Sequence, residues 1–146
     1  MGTFNISASA LIPAPAQHVY GIIADYRNGH PHIIPSKYFR NLVVEEGGTG
    51  AGTKIRFEMV LFGKAQATQS VVTEPEPGRV LVESTLDGLA VTQFIVDAVE
   101  GEKTAKVTIS TEMKSMGFVA NLLIKFLFKR IYREELALLA EYALRK

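Results

Sequence analysis

The sequence predicts an α+β domain in which seven antiparallel strands meet one long C-terminal helix. Short segments of alternating apolar and polar residues recur at roughly ten-residue spacing, the signature of an antiparallel meander. Glycine- and proline-bearing turns divide them. After Gly117 the chain carries neither proline nor an interior glycine, so its last segment reads as one uninterrupted helix.

Each element has its own warrant. In TFNISASALI, residues 3–12, Phe4, Ile6, Ala8, Ala10 and Ile12 alternate with Asn5, Ser7 and Ser9, a strand with one buried face. Pro13 and Pro15 end it, and Pro15 suits the first turn of a helix, where its missing N–H costs nothing. Ala16, Val19, Tyr20 and Ile23 then share one helical face, with His18 off that face and expected in solvent. Asn28-Gly29 stops this helix. Pro31 and Pro35 bias His30 and Ile34 toward extended backbone, so 27–36 reads as a loop or a single short helical turn. YFRNLVVEE, residues 38–46, is the second strand. Further strands follow in IRFEMVLFG, AQATQSVVT, RVLVEST, AVTQFIVDAV and TAKVTISTEM, with turns at Gly63-Lys64, EPEPG, Asp87-Gly88 and the EGEK of 100–103. In the final helix Tyr132, Leu136, Leu139, Ala140 and Ala143 form an apolar stripe, with Arg130, Glu134 and Glu141 opposite. Extended back, that stripe passes through Phe118, Leu122 and Lys125. The lysine reads either as a snorkelling side chain or as a polar group at a cavity mouth.

Composition excludes several function classes. The 146 residues suit a single domain over 1–146 with a sizeable core. A net charge of +1 gives no electrostatic case for nucleic acid. The absence of cysteine removes disulfides and thiolate chemistry. The N-terminal MGTFNISASALIPAP has no basic region ahead of an apolar core, and Ile6 stands where a myristoylation motif needs Ser or Thr. The longest apolar run, 118–128, is too short to span a bilayer and carries Lys125. A cytoplasmic location is the expectation. The hydrophobic fraction of 47% leaves apolar side chains to spare, for an internal cavity or a contact surface.

Two motifs invite a sharper reading. GGTGAGTK, residues 47–54, resembles a phosphate-binding loop only superficially. Thr53 precedes Lys54 where a P-loop has the lysine first, and a strand follows where a helix is needed. A hairpin turn is expected there, with no nucleotide. His30 and His32 flank Pro31, with Asp25 and Tyr26 upstream. A catalytic metal site usually takes three protein ligands, and no third ligand at helical spacing is present. No metal and no cofactor are expected. The histidines read as the rim of a ligand cavity or as loop packing, with His32 the one expected to touch a ligand.

The order of elements resembles the helix-grip fold of the START-like SRPBCC superfamily, which includes polyketide cyclase/dehydrase-like and lipid-transfer proteins. The residues that carry this are IPAPAQHVYGIIADYRNGHPHIIPS, GGTGAGTKIRF and the Gly117-led basic-apolar last helix. The resemblance implies a curved seven-stranded antiparallel sheet wrapped around the long C-terminal helix, with one or two short helices after strand 1 and a cavity between sheet and helix. Its walls would come from Phe57, Met59, Val82, Phe94, Ile109 and Met113 on strands, and from Phe118 and Leu122 on the helix. Tyr26, His32 and Ile33 would lie near the mouth, with Lys125. Any one of these side chains has filled core as its alternative.

Three functions compete. The first is binding or transport of an apolar small molecule such as a lipid, isoprenoid or polyketide. The second is a cyclase or dehydratase, with His32, Tyr26, Tyr38, Glu58 and Asp97 as acid/base candidates; Glu58 and Asp97 alternate outward, and no carboxylate–His or Ser–His–Asp arrangement is legible. The third is an interaction module, as monomer or homodimer, that uses 118–130 against a partner or, transiently, against an anionic membrane through Lys125, Lys129 and Arg130.

Overall fold

A computed structural model describes residues 2–99 and 101–145. Met1, Glu100 (the first residue of the 100–103 turn) and Lys146 (the expected end of the last helix) lie outside it. The elements are β1 (Thr3–Ile12), α1 (Ala16–Ala24), a single 3-10 turn (His30–His32), β2 (Phe39–Glu46), β3 (Lys54–Leu61), β4 (Lys64–Glu76), β5 (Val80–Thr85), β6 (Ala90–Ala98), β7 (Ala105–Lys114) and α2 (Phe118–Arg145). The seven strands form one sheet in the order β1-β7-β6-β5-β4-β3-β2. All neighbours are antiparallel. This is the helix-grip arrangement.

Alternation sets which face each strand buries. On β7, Ala105, Val107, Ile109, Thr111 and Met113 are buried and the residues between them are more exposed. The register then carries this inward face across the sheet: Thr111 pairs with Thr92, Thr92 with Glu83, and Glu83 with Val72. Val82, expected on the inner face, belongs to the other one. It pairs with Thr73 and Gln93, and its burial there is separate from the main core. In RVLVEST the more apolar parity, Val80 and Val82, is the outer one; a one-residue shift exchanges the two faces completely.

Helix α1 buries Val19, Tyr20, Ile22 and Ile23 as the spacing requires. His18 is half-buried and donates from Nε2 to the carbonyl of Ala143 (3.2 Å), so it ties α1 to the end of α2 instead of standing free. His30 is helical despite the bias of Pro31, because proline sits without cost in the first turn of the short helix.

Helix α2 lies closest to β1, at the sheet edge. Ile131, Tyr132, Leu136, Leu139 and Ala143 are buried. Each large aliphatic among them contributes about 1.5–3 kcal/mol of burial. The first half of the helix departs from expectation: Phe118 is 83% exposed, Leu122 60%, and Lys125 is exposed too. The buried stripe runs back from Tyr132 through Phe128 to Ile124. On a helix of 3.6 residues per turn, the expected and observed sets flank Tyr132 on opposite sides, each within about 80° of it. Helical periodicity alone does not choose between them; packing does.

The glycine segment is the β2–β3 turn. It also packs on the end of α1: Tyr26 N–H donates to the Gly48 carbonyl (2.8 Å) and Gly50 N–H to that of Ala24 (3.0 Å). Gly50 has φ +62°, and a Cβ there would collide with the Glu74 carboxylate. Glu74 in turn accepts from Ala51 N–H (2.8 Å) and from the Tyr20 hydroxyl (2.6 Å).

Candidate functional site: a cavity with an acidic inner end

Between the sheet and α2 lies a cavity of about 200 Å³. Phe57 and Met59 of β3, Phe94 of β6, Met113 of β7 and Phe128 of α2 form much of its apolar wall, with Phe39, Leu42 and Ile124 beside them. Pairing explains this grouping. Phe57 and Met59 alternate inward on β3, while Phe94 faces Leu81 and Ile109 across the register. At the outer end the lining residues are exposed: Leu89, Met116 and Lys114.

The inner end is polar. His30, Glu83, Thr92, Thr111, Tyr132 and Glu135 all line it. Tyr26 stands behind them, 1% exposed, its ring stacked on His30 with centroids 4.3 Å apart. Its hydroxyl donates a short hydrogen bond to Glu83 Oε2. His30 Nδ1 lies 2.7 Å from the carbonyl of Ile23, which only accepts, so Nδ1 carries the proton. That leaves Nε2 facing Glu83 Oε2 at 3.5 Å. Thr92, Thr111 and Tyr132 form a chain of hydroxyls, with 2.8 Å between the threonine oxygens and a short bond from Thr111 to Tyr132.

Glu135 is the most unusual group. It is 3% exposed, and its Oε1 is buried without a hydrogen-bond partner. Burial, and then the nearby Glu83, push its carboxyl well above the usual carboxylate range, which favours its protonated form. Burial and Glu83 likewise push the Tyr26 phenol up, and burial does the same to Tyr132. One cavity therefore brings together a carboxyl that favours its proton and the Glu83–His30 pair. Such an arrangement can donate a proton to a bound molecule, accept one from it, or hold a polar end group.

Of the residues singled out from sequence, the structure brings together Phe57, Met59, Phe94 and Met113 on the cavity wall. Ile33 and Ile109 are buried in the surrounding core, and Tyr26 supports Glu83 from behind the wall. Val82 lies on the outer face; Phe118, Leu122 and Lys125 face solvent outside the wall. His32 is exposed and stacks on Tyr142 with centroids 4.7 Å apart, so His30, not His32, is the histidine that reaches the cavity. With Pro31 between them, the two stand two residues apart on a tight turn and pack on different neighbours, Tyr26 and Tyr142. Asp97 pairs with Arg79 at the surface (2.7 Å), and Glu58 meets Asn41 (3.3 Å). Among the described residues no three His, Cys, Asp or Glu side chains group as metal ligands.

Glu83 and Glu135 escaped sequence reasoning, although both left a signal. Glu135 lies three residues after Tyr132 and four before Leu139, on the apolar stripe itself. Glu83 shares the parity of Leu81 and Thr85.

With this geometry the comparisons with known proteins fall into place. A model of the family described as polyketide cyclase / dehydrase and lipid transport matches residues 3–144, and the chain belongs to that family. A search of curated proteins returned no match. Among solved structures, the KanY protein superposes with a TM-score of 0.84 at 24% identity, covering 98% of this chain and 99% of its own. The Zhui aromatase/cyclase of a Streptomyces species superposes at 0.81 and 15% identity, covering 98% and 94%. Norcoclaurine synthase from Thalictrum flavum, in complex with dopamine and hydroxybenzaldehyde, superposes at 0.75 and 14% identity, covering 98% and 87%. At these identities the likeness is one of fold.

Proposed function

We propose that this protein binds a mostly apolar small molecule in the cavity between sheet and α2. The observation that carries this is the wall itself: Phe57, Met59, Phe94, Met113 and Phe128 surround about 200 Å³ that no described side chain fills. Natural interiors are close-packed, so a void of this size needs a reason. Methionines suit such a wall because their unbranched side chains adapt to different shapes. Burying on the order of 300–400 Å² of apolar ligand surface is worth roughly 8–10 kcal/mol gross. Association costs remove about half of this, leaving affinity between roughly micromolar and millimolar.

The test fills the space. Met59→Trp is expected to weaken binding of medium-chain alcohols and aromatic ketones about tenfold while the melting temperature holds, measured by calorimetric titration and thermal shift. A destabilised Met59→Trp variant, with no wild-type binding to any probe, would mean the space collapses in solution. Conversion of a β-hydroxy ketone to its enone, followed by absorbance and lost in Glu135→Gln, would move the protein to the enzyme class.

A second reading concerns delivery. Met116, Phe118, Val119, Leu122, Leu123 and Phe126 are all more than half exposed, and Met116 also borders the cavity. Lys114, Lys125, Lys129 and Arg130 accompany them, and no acidic residue occurs between Lys114 and Arg133. No helix among the described residues is long and apolar enough to cross a membrane. We infer that this face rests on an anionic bilayer while the ligand is exchanged. Flotation with anionic vesicles should recover the wild type, and much less of a Phe118→Ser/Phe126→Ser variant. Equal recovery of both would refute this reading.

A further inference from the structure

At the inner end of the cavity, acceptors outnumber free donors. The Tyr26 proton is spent on Glu83. The His30 Nδ1 proton is spent on the Ile23 carbonyl. The hydroxyl chain Thr92–Thr111–Tyr132 uses two of its three protons internally. What remains open to a ligand is the Glu83 side chain, the Nε2 edge of His30, one hydroxyl proton of the chain and the Glu135 carboxyl, whose Oε1 has no partner. Among the described residues Lys114 is the only lysine or arginine along the cavity, and it is exposed at the other end. A buried carboxyl without a partner costs stability unless something satisfies it. Two carboxyl groups facing one small cavity are satisfied together by a group that donates several hydrogen bonds and carries positive charge. An ammonium has three donors and no acceptor. A carboxylate end group, as on a fatty acid, has no donor and would be repelled.

We propose that this inner end, formed by Glu83, Glu135 and His30, is a subsite for the protonated amine of an otherwise apolar ligand. The proposal rests on the ligand-binding reading above and specifies the head group. Binding would ionise Glu135, whose proton leaves to solvent as the ammonium takes its place beside both carboxylates. The pairing is strong because Glu135 is buried away from bulk solvent. It is also selective, because an alcohol of the same length leaves one carboxyl unsatisfied.

The experiment compares octylamine, 1-octanol and octanoate by calorimetric titration at neutral pH, on wild type, Glu135→Gln and Glu83→Gln. Octylamine is expected to bind wild type at least tenfold more tightly than 1-octanol, with no saturable binding of octanoate. Each Gln variant should lose about tenfold for octylamine and change 1-octanol less than twofold. Repeating the octylamine titration in buffers of different ionisation enthalpy should report proton release in wild type and little in Glu135→Gln. If 1-octanol binds as well as octylamine, or octanoate binds, the amine assignment is overturned and the apolar cavity stands. If none of the three binds, the cavity reading falls and the proposal with it. Glu83→Gln supplies the same readout should Glu135→Gln not fold.

Discussion

Glu135→Gln also makes a prediction about stability that needs no ligand. In the folded chain Glu135 keeps its proton well above the pH at which an exposed glutamate loses it, because burial, and then Glu83, disfavour its charge. Between the ordinary carboxyl range and that raised value, the folded protein binds one more proton than the unfolded chain. Stability must therefore fall as pH rises through this window. Below the window both states are protonated and the penalty is absent; above it the penalty has reached its full size. Inside the window the slope from this one group is about 1.4 kcal/mol per pH unit, a tenfold change in the folded-to-unfolded ratio. Glutamine has nearly the same shape and no titrating proton, so it removes this slope. Urea unfolding of both proteins at half-unit steps from about pH 5 to 8 measures it. The wild-type curve should decline relative to that of Glu135→Gln by up to about 1.4 kcal/mol per unit. Tyr26 and Tyr132, whose phenols are shifted upward, stay protonated throughout and do not contribute. Parallel curves would refute the reasoning, since they would mean that water reaches Glu135 and that its carboxyl titrates alike in both states.

Three other substitutions probe what positions the site. Gly50→Ala should destabilise by about 1–3 kcal/mol in urea unfolding, since it strains the backbone at φ +62° and crowds Glu74; a change under about 0.5 kcal/mol would show that the loop yields easily. His30→Ala should cost about 2–3 kcal/mol and weaken ligand binding, through loss of the Ile23 bond and the Tyr26 stack, whereas His32→Ala should stay within about 1 kcal/mol and leave binding unchanged. Equal effects of the two would contradict the assignment of His30 to the cavity.

The sequence by itself determined the elements and their order. Period-two alternation in residues 3–12 and 105–114, the turn glycines and the unbroken run after Gly117 are local properties, and local properties fix strands, turns and helices. The inward faces of β3 and β7 followed as well, because their apolar parity is clear: Phe57 and Met59 point in, and so does Met113. Three things were decided only by the tertiary structure. In β5 both parities carry apolar residues, so the pairing of Glu83 with Thr92 and Val72 had to choose the face, and it turned Glu83 inward and Val82 outward. In α2 the phase of the buried stripe before Tyr132 depended on how the helix lies over β1, which left Phe118, Leu122 and Lys125 in solvent and brought Ile124 and Phe128 to the cavity. The polar inner end joins Tyr26 and His30, which follow α1, with Glu83 on β5 and Glu135 on α2. No spacing along the chain records that meeting. It arises because the curved sheet and the last helix enclose one volume, and the groups that face it are chosen by register and helical phase together.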